Sequence, residues 1–183
     1  MKKLRVFESI SIDGYFCGTD GDLSWAHGGT DDREFTDWIG GNASGGGELL
    51  FGRTTYEQMV AFWPTPQAAQ QMPAVAKGMN AATKWVASRT LKSVSWSGAR
   101  LLGGELVSAV RELKAGDGPG LTLLGSGSVA AQLGAAGLID EYQFVIVPVA
   151  LGSGRTVFSA RRDLRLVGSR TFGNGRVVVT YAA

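Results

Sequence analysis

LTLLGSGSVAAQL, at residues 121–133, is the stretch that decides the interpretation of this chain. An apolar run is followed by glycines and serines and then by good helix formers, which predicts a buried strand, a tight turn and a helix. Glycine lets the backbone turn at positive φ, and the free N–H groups at a helix start favour an anion. The segment therefore predicts a phosphate-binding turn, called the glycine-serine turn below, formed by Gly125, Ser126, Gly127 and Ser128.

A second interpretation of the same segment is structural. Ser126 or Ser128 would then be an ordinary N-cap after a plain strand-to-helix turn. The GxGxxG pattern of a Rossmann dinucleotide site is absent, because residue 130 is Ala and no acidic residue follows about 20 positions later at the end of a second strand. The residues of this segment alone leave both interpretations open.

Length and composition restrict the class of protein. The chain has 183 residues, 44% of them hydrophobic, which predicts one sizeable core and a single domain over residues 1–183. The formal net charge of +2, without long basic runs, argues against nucleic acid or an anionic membrane surface as a partner. Glu8 and Asp13 interrupt the N-terminal apolar stretch, and no segment approaches the roughly 20 apolar residues of a membrane helix. These features predict a cytoplasmic protein.

The chain contains one cysteine and one histidine. Cys17 alone excludes an intramolecular disulfide framework, and His27 alone cannot build the usual zinc cage, so no metal site is expected. His27 lies in a glycine-rich segment, where it is either a proton donor or a solvated loop residue. Cys17 is expected to be a small, buried or half-buried residue rather than a nucleophile.

Strand-like and helix-like segments alternate along the chain, which predicts an α/β sheet with helices on its faces. Predicted strands cover residues 4–12, 48–52, 84–88, 121–124 and 140–151, with a shorter one near Val94, and predicted helices cover residues 54–62, 72–81 and 103–114 and a segment capped by Thr30. Residues 13–30 are long for a mere connector and are therefore a candidate functional loop. Pro148 indicates an edge position, a bulge or a bend in the last apolar run.

The C-terminal segment, residues 164–182, has two alternating runs on either side of Gly173, Asn174 and Gly175. This pattern predicts an antiparallel hairpin. The expected sheet therefore has a parallel core and an antiparallel ending.

Several separated motifs together resemble those of the dihydrofolate reductase superfamily, and most closely the reductase domain of bacterial riboflavin biosynthesis. The resemblance covers nearly the whole chain. It implies a three-layer α/β/α fold with a mostly parallel central sheet and an antiparallel C-terminal hairpin. The motifs are SIDGYF at residues 11–16, LLFGRTTYEQM at 49–59, VASRTL at 86–91, LLGSGSVAAQL at 123–133 and LIDEYQFVIVPVALGSGRTVF at 138–158.

The resemblance implies NADPH as the cofactor. In GRTTYE a strand delivers Gly52 to a helix start, where Arg53, Thr54 and Thr55 offer a guanidinium, hydroxyls and N–H groups to phosphate. Similarity to the family places Arg53 and Thr55 on the cofactor phosphates; the alternative is a capped helix with an exposed arginine.

Two further segments complete the cofactor site that the resemblance implies. Ser88 and Arg89 resemble the residues that hold the adenosine 2′-phosphate, and a cation there prefers NADPH to NADH. The glycine-serine turn corresponds to the pyrophosphate loop. The alternative for Arg89 is a cation on a surface turn.

Candidate substrate contacts lie near the first loop. Residues 13–25 resemble the mobile loop that closes over nicotinamide, with Trp25 at the mouth of the pocket. Asp31 and Phe35 have the i, i+4 spacing that places an acid and an aromatic ring on one helix face. By similarity to dihydrofolate reductases Asp31 is the candidate catalytic acid, and Asp32 is the alternate. Acidic residues at a helix start are also favoured without any catalytic role.

The expected function is NADPH-dependent reduction of a small heterocyclic or carbonyl-type substrate, similar to a pterin or a riboflavin precursor. The chain lacks the HxE and PCxxC motifs of a zinc deaminase, which indicates a stand-alone reductase. An authentic dihydrofolate reductase is one alternative, and a noncatalytic nucleotide-binding or interaction protein is another. A homodimer is also expected, because related reductases pair through their C-terminal sheet and residues 142–149 are strongly apolar.

Overall fold

A computed structural model of the chain describes residues 1–27, 32–43 and 45–183, and of residue 27 it describes the backbone alone. The strands are β1 Leu4–Ser11, β2 Tyr15–Cys17, β3 Glu48–Gly52, β4 Lys84–Ala87, β5 Ala99–Leu102, β6 Leu121–Leu124, β7 Glu141–Val147, β8 Arg155–Thr156, β9 Arg165–Thr171 and β10 Val177–Ala182. The helices are α1 Ser24–His27, α2 Arg33–Ala43, α3 Arg53–Phe62, α4 Pro66–Gln71, α5 Pro73–Ala81, α6 Leu106–Ala115 and α7 Gly127–Ala135.

The central sheet has eight strands in the order β5-β4-β3-β6-β1-β7-β10-β9. Across the sheet, every pair of neighbouring strands from β5 at one edge as far as β7 is parallel. The next strand, β10, pairs antiparallel with both β7 and β9. The predicted α/β fold, with its parallel core and antiparallel C-terminal hairpin, is therefore confirmed.

Side-chain alternation along the strands separates two packed faces. One face of β1 presents Leu4 and Val6 to α6 and α7, where Val110 and Leu133 are fully buried. The opposite face packs against α2, α3 and α5 through the clusters around Phe51 and Phe35 and their apolar neighbours. The layers are thus helix, sheet and helix, as the resemblance implies.

The prediction of a strand near Val94 was wrong. The strand lies later in the chain, at β5, and the preceding loop instead sends Trp96 into the core beside Phe51. The Tyr56 hydroxyl accepts hydrogen bonds from the N–H groups of Ser95 and Trp96, so these groups are satisfied without a strand ladder. A short apolar segment can pack inward as a loop when a side chain supplies the missing acceptor.

Three further features differ from the predictions: the content of the first loop, the start of the second helix and the position of Pro148. The first loop contains the short strand β2 and the single-turn helix α1. Helix α2 begins at Arg33, directly after Asp32, and the predicted cap Thr30 lies outside the described residues. Pro148 lies just beyond the end of β7, which is an interior strand rather than an edge strand. A proline directly after a strand leaves the strand's hydrogen bonds intact.

Within the described part of the chain, none of the helices is both long enough and apolar enough to cross a membrane.

Candidate functional site

The carboxyl ends of three neighbouring parallel strands bring the predicted cofactor residues to one edge of the sheet. Gly52 at the end of β3 is in register with Ala87 at the end of β4, so the segment after β3 lies beside Ser88. On its other side β3 pairs with β6, whose last residue, Leu124, precedes the glycine-serine turn. Ligands of open parallel sheets bind at this edge.

Ser126 joins the starts of α3 and α7. Its Oγ accepts a hydrogen bond from the N–H of Gly52 at 2.8 Å and lies 2.8 Å from Oγ1 of Thr55, to which it donates. Its φ of +63° is the single left-handed value among the described non-glycine residues, a conformation that carries strain. Ser126 stands at the N-cap position of α7, but its side chain makes no capping bond to α7 and reaches across to α3, which does not fit the alternative of an ordinary N-cap at this residue.

The backbone at the two helix starts is closely packed. Gly125 has a φ of +55°, and a Cβ at this position would lie 3.3 Å from Oγ1 of Thr55. A Cβ on Gly52 would lie 3.2 Å from Val129. The two helix starts therefore pack so closely that a residue larger than glycine at position 52 or 125 would press on a neighbouring side chain.

Phe16 covers part of the turn. A Cβ on Gly127 would fall 2.2 Å from the Phe16 ring, so the ring lies directly on the backbone of that glycine. Because Phe16 belongs to β2, the first loop of the chain reaches the glycine-serine turn. This contact agrees with a loop that covers the site, as the resemblance implies.

The other predicted cofactor residues lie at the rim. Arg53 is half exposed at the start of α3 and forms an ion pair with Glu57 one turn later, at 3.1 Å. Thr54 and Ser128 are exposed. Ser88 Oγ accepts hydrogen bonds from the N–H groups of the next turn, at Thr90 and Leu91, and Arg89 projects from that turn as an exposed residue.

Glu8 is a residue of the site that sequence reasoning missed. It lies on β1, its side chain is buried, and its Oε2 lies 3.9 Å from the position of a Cβ on Gly125. Burial in this apolar layer raises the pKa of Glu8 to about 8, against a smaller opposing effect of the Ser9 N–H. The available signal was Glu8 itself, an acid at an inward-facing position of a predicted strand.

The motifs at residues 11–16 and 138–158 meet through Asp13. Its carboxylate accepts a hydrogen bond from Ser11 Oγ at 2.5 Å and bonds from the N–H groups of Leu151 and Gly152 at 3.1 and 2.7 Å. These bonds, that of Ser11 first, hold the pKa of Asp13 below its usual value. Asp13 therefore fixes the base of the first loop, which explains why both motifs occur together.

The candidate catalytic acid, Asp31, lies outside the described residues. Its alternate, Asp32, has a structural position: Oδ1 accepts from the N–H of Phe35 at 2.9 Å, and Oδ2 accepts from the N–H of Asn174 at 3.0 Å. These bonds, that of Phe35 first, lower the pKa of Asp32. Asp32 thus caps α2 and ties it to the C-terminal hairpin.

The two candidate substrate residues belong to one apolar cluster. Phe35 is only 7% exposed and packs edge-on against Phe172, with the guanidinium of Arg176 4.9 Å from its ring centroid. Trp25 is half buried beside the same cluster. Both residues therefore lie on the α2 face of the sheet, and their contact with a substrate stays a prediction.

Cys17 is buried, and its burial, with a smaller contribution from nearby Glu8, raises the pKa of its thiol. A raised pKa disfavours the thiolate, which agrees with the expectation that Cys17 is a packing residue.

Comparison with known proteins agrees with this architecture. The family model described as RibD C-terminal domain matches residues 2–178. The uncharacterised protein YyaP of Bacillus subtilis (strain 168) is 27% identical over 176 residues, which cover 94% of this chain and 90% of that protein.

Two solved structures share the fold. The crystal structure of a putative riboflavin biosynthesis protein from Shewanella sp. PV-4 has a TM-score of 0.70 and 22% identity, with 98% of each chain covered. A pyrimidine reductase-like protein from Corynebacterium diphtheriae has a TM-score of 0.61 and 14% identity, with 99% of this chain and 91% of that chain covered. With the family match over nearly its whole length, and with these neighbours of dihydrofolate reductase-like fold, the chain belongs to the RibD C-terminal domain family, a family of reductases.

Proposed function

We propose that this protein is an NADPH-dependent reductase of a small heterocyclic or carbonyl-type substrate, similar to a pterin or a riboflavin precursor. The observation that carries the proposal is the junction of two helix starts through Ser126, which directs N–H groups and hydroxyls to one point at the carboxyl edge of the sheet. The family supports a reductase and suggests a nicotinamide cofactor.

The residues at this edge fit a dinucleotide. The hydroxyls of Ser126 and Thr55 and the N–H groups of two helix starts lie at this edge, and no carboxylate other than buried Glu8 is described at the turn itself. A reduced nicotinamide supplies hydride when it is bound. The chain's own contribution is to bind the phosphates at the glycine-serine turn and to exclude water with the segment that carries Phe16.

The preference for NADPH over NADH rests on cations at the rim. Arg89 is exposed on the turn after β4. Arg53 is half exposed at the start of α3, directly after the neighbouring strand β3. A guanidinium in this position can pair with the 2′-phosphate that distinguishes NADPH from NADH.

The first experiment is a titration of the purified protein with NADPH and NADH, followed by tryptophan quenching and by energy transfer to the nicotinamide. Micromolar binding of NADPH, weakened about tenfold in Arg53→Ala and in Arg89→Ala, is expected from the loss of one charge-assisted bond each. Arg161→Ala is the matched control, because Arg161 is exposed and paired with Asp163 away from this edge.

Binding of neither nucleotide would contradict the proposal and would favour a noncatalytic protein that keeps the fold. If NADPH binds, turnover is screened with pterins, flavin precursors and carbonyl compounds. An authentic dihydrofolate reductase would show turnover of dihydrofolate that is lost in Asp31→Asn. The family match favours neither alternative.

We further propose that the protein is a homodimer that pairs through the C-terminal edge of the sheet. The apolar residues of β7 do not supply this surface, because Tyr142 and Val145 are only 1% exposed within one chain. The edge strand β9 offers such a surface, because all its residues are exposed. Its apolar residues Leu166 and Val167 are 55% and 54% exposed. Light scattering after size exclusion should give twice the chain mass, and Val167→Asp should halve it. A monomeric wild type would contradict the proposal.

A further inference from the structure

Glu8 is the buried acid nearest to the glycine-serine turn. Its side chain lies on the face of β1 that packs against α7, in line with Leu4 and Val6, and the residue is only 7% exposed. Among the described residues, its Oε2 and Oε1 of Gln143 are the buried side-chain oxygens without a hydrogen-bond partner. Gln143 is neutral and lies opposite Phe7 on β1, so Glu8 is the titratable member of the pair.

An acid in this environment is costly to the fold unless something outside the chain uses it. A buried carboxyl oxygen without a partner has lost its hydration in both protonation states, and the cost is greatest when the carboxyl is charged. An apolar side chain at residue 8 would continue the pattern of Leu4 and Val6. The unpartnered oxygen lies where this layer meets the turn, 3.9 Å from the position of a Cβ on Gly125.

We propose that Glu8 is a ligand-binding residue of this site: it is held as the neutral carboxylic acid, and it donates a hydrogen bond to an acceptor on the dinucleotide bound over the glycine-serine turn. The inference rests on the proposed function, since it takes the dinucleotide as the ligand. It names a contact on the sheet side of the ligand, opposite the helix starts of α3 and α7.

The surroundings of Glu8 keep it neutral. Burial raises its pKa to about 8, so the acid form dominates at neutral pH. Of the elements packed around it, β2 contributes Cys17, whose own pKa is raised, and β8 contributes Arg155 behind Cys17. Helix α7 and strand β6 carry no titratable side chain, and α3 contributes Thr55 at the turn. A neutral donor can face a phosphate or a carbonyl oxygen, whereas a carboxylate would repel the phosphate.

The test is the affinity for NADPH between pH 7 and pH 9, measured by fluorescence in the wild type and in Glu8→Gln. The phosphate monoester of NADPH has a second pKa of about 6 and is already about nine-tenths ionised at pH 7, so its own titration changes the Kd little over this range. If the neutral acid is the binding form, the Kd of the wild type rises about tenfold from pH 7 to pH 9. Glu8→Gln keeps a donor that does not ionise, so its Kd should stay constant within about twofold. Cys17→Ser is the matched control and should keep the wild-type pH dependence.

Parallel pH profiles of the wild type and Glu8→Gln would overturn the proposal while leaving the proposed function intact. Failure of the wild type to bind NADPH even at pH 7 would overturn both. ADP, which carries the pyrophosphate without nicotinamide, locates the acceptor: the same pH dependence places it on the phosphates, and its loss places it on the nicotinamide half.

A second measurement keeps the inference falsifiable if Glu8→Gln does not fold. The Glu8 carboxyl of the wild type is titrated by carbon-13 NMR with and without NADPH. A bound acceptor should shift its titration to higher pH, and a titration that NADPH leaves unchanged would overturn the proposal.

Discussion

Two buried ionisable side chains lie at different places on the sheet, and their partners differ completely. Lys84 at the start of β4 is fully buried, and its Nζ donates to the carbonyl oxygens of Asn80, Ala82 and Ser97 at 3.1, 2.6 and 3.0 Å. The same ammonium lies 4.6 Å from the ring centroid of Trp96. Glu8 near the end of β1 has an oxygen with no partner.

The difference separates a structural charge from a candidate functional one. The Lys84 ammonium donates two hydrogen bonds to carbonyls at the end of α5 and one to a carbonyl in the loop before β5, so its burial is explained by the fold itself. The carboxyl of Glu8 is not explained by the fold, because it stabilises nothing that an apolar side chain would not. Two substitutions test this distinction and two more test the packing of the turn beside Glu8, in order of decreasing expected effect.

Lys84→Met should lower the free energy of unfolding by about 4 kcal/mol, because three backbone carbonyl groups around a buried side chain lose their donor while only apolar volume is kept. Urea denaturation followed by tryptophan fluorescence measures this change. Lys77→Met, at an exposed position of α5, is the control and should change the free energy of unfolding by less than about 0.5 kcal/mol. A loss below about 1 kcal/mol in Lys84→Met would remove the distinction.

Glu8→Gln should raise the free energy of unfolding, unlike Lys84→Met, and by an amount that depends on pH. The pKa of Glu8 is raised from 4.5 to about 8 in the folded chain, so the wild type loses stability as pH rises through this interval. The unfolded chain releases this proton near pH 4.5, whereas the folded chain keeps it until about pH 8. The stability of Glu8→Gln relative to the wild type should therefore increase by about 3 kcal/mol between pH 5 and pH 8. Denaturation curves at both pH values test this, and a constant difference would contradict the raised pKa.

Gly127→Ala should destabilise the fold by about 2 kcal/mol, because the new methyl group would collide with the Phe16 ring unless the ring moves. Introducing Phe16→Leu in the same chain should recover part of the loss. Gly41→Ala is the control, since Gly41 lies in α2 with open space around it, and alanine there should stabilise by up to about 1 kcal/mol. Equal effects at both glycines would show that Phe16 does not cover the turn.

Ser126→Ala should cost about 1 kcal/mol, because the Gly52 N–H loses its acceptor and the left-handed backbone loses the hydroxyl that holds it. Ser128→Ala, at an exposed position two residues later, should be nearly neutral. Thermal unfolding of both variants measures the difference. If they unfold at the same temperature, Ser126 does not join the two helix starts.

Most of the fold was predictable because it follows from local patterns. The alternation of strands and helices and the turn at Gly173, Asn174 and Gly175 predicted the parallel core and the antiparallel hairpin. The strand near Val94 was predicted wrongly because an apolar loop residue and an apolar strand residue are alike in sequence. The Tyr56 hydroxyl, which allows this loop to pack inward, accepts a hydrogen bond from the N–H of Ser95, 39 residues later in the chain.

The candidate site was predictable in its residue types and not in its contacts. Gly52, Thr55, Gly125 and Ser126 were all named from two separate motifs, and each motif contains its own strand-to-helix turn. That Ser126 reaches across to Thr55 rather than capping its own helix depends on the spacing of β3 and β6 in the sheet.

The sequence by itself determined the family, the main strands and helices and the glycine and hydroxyl residues at two helix starts, because these are recorded in short motifs and in hydrophobic periodicity. Only the tertiary structure decided that Lys84 is a satisfied structural cation, that Asp32 ties α2 to the hairpin and that one oxygen of Glu8 lies beside the glycine-serine turn without a partner. The physical reason is that burial and hydrogen bonding are properties of neighbours brought together by folding, and the partners of these residues lie on other elements of the chain.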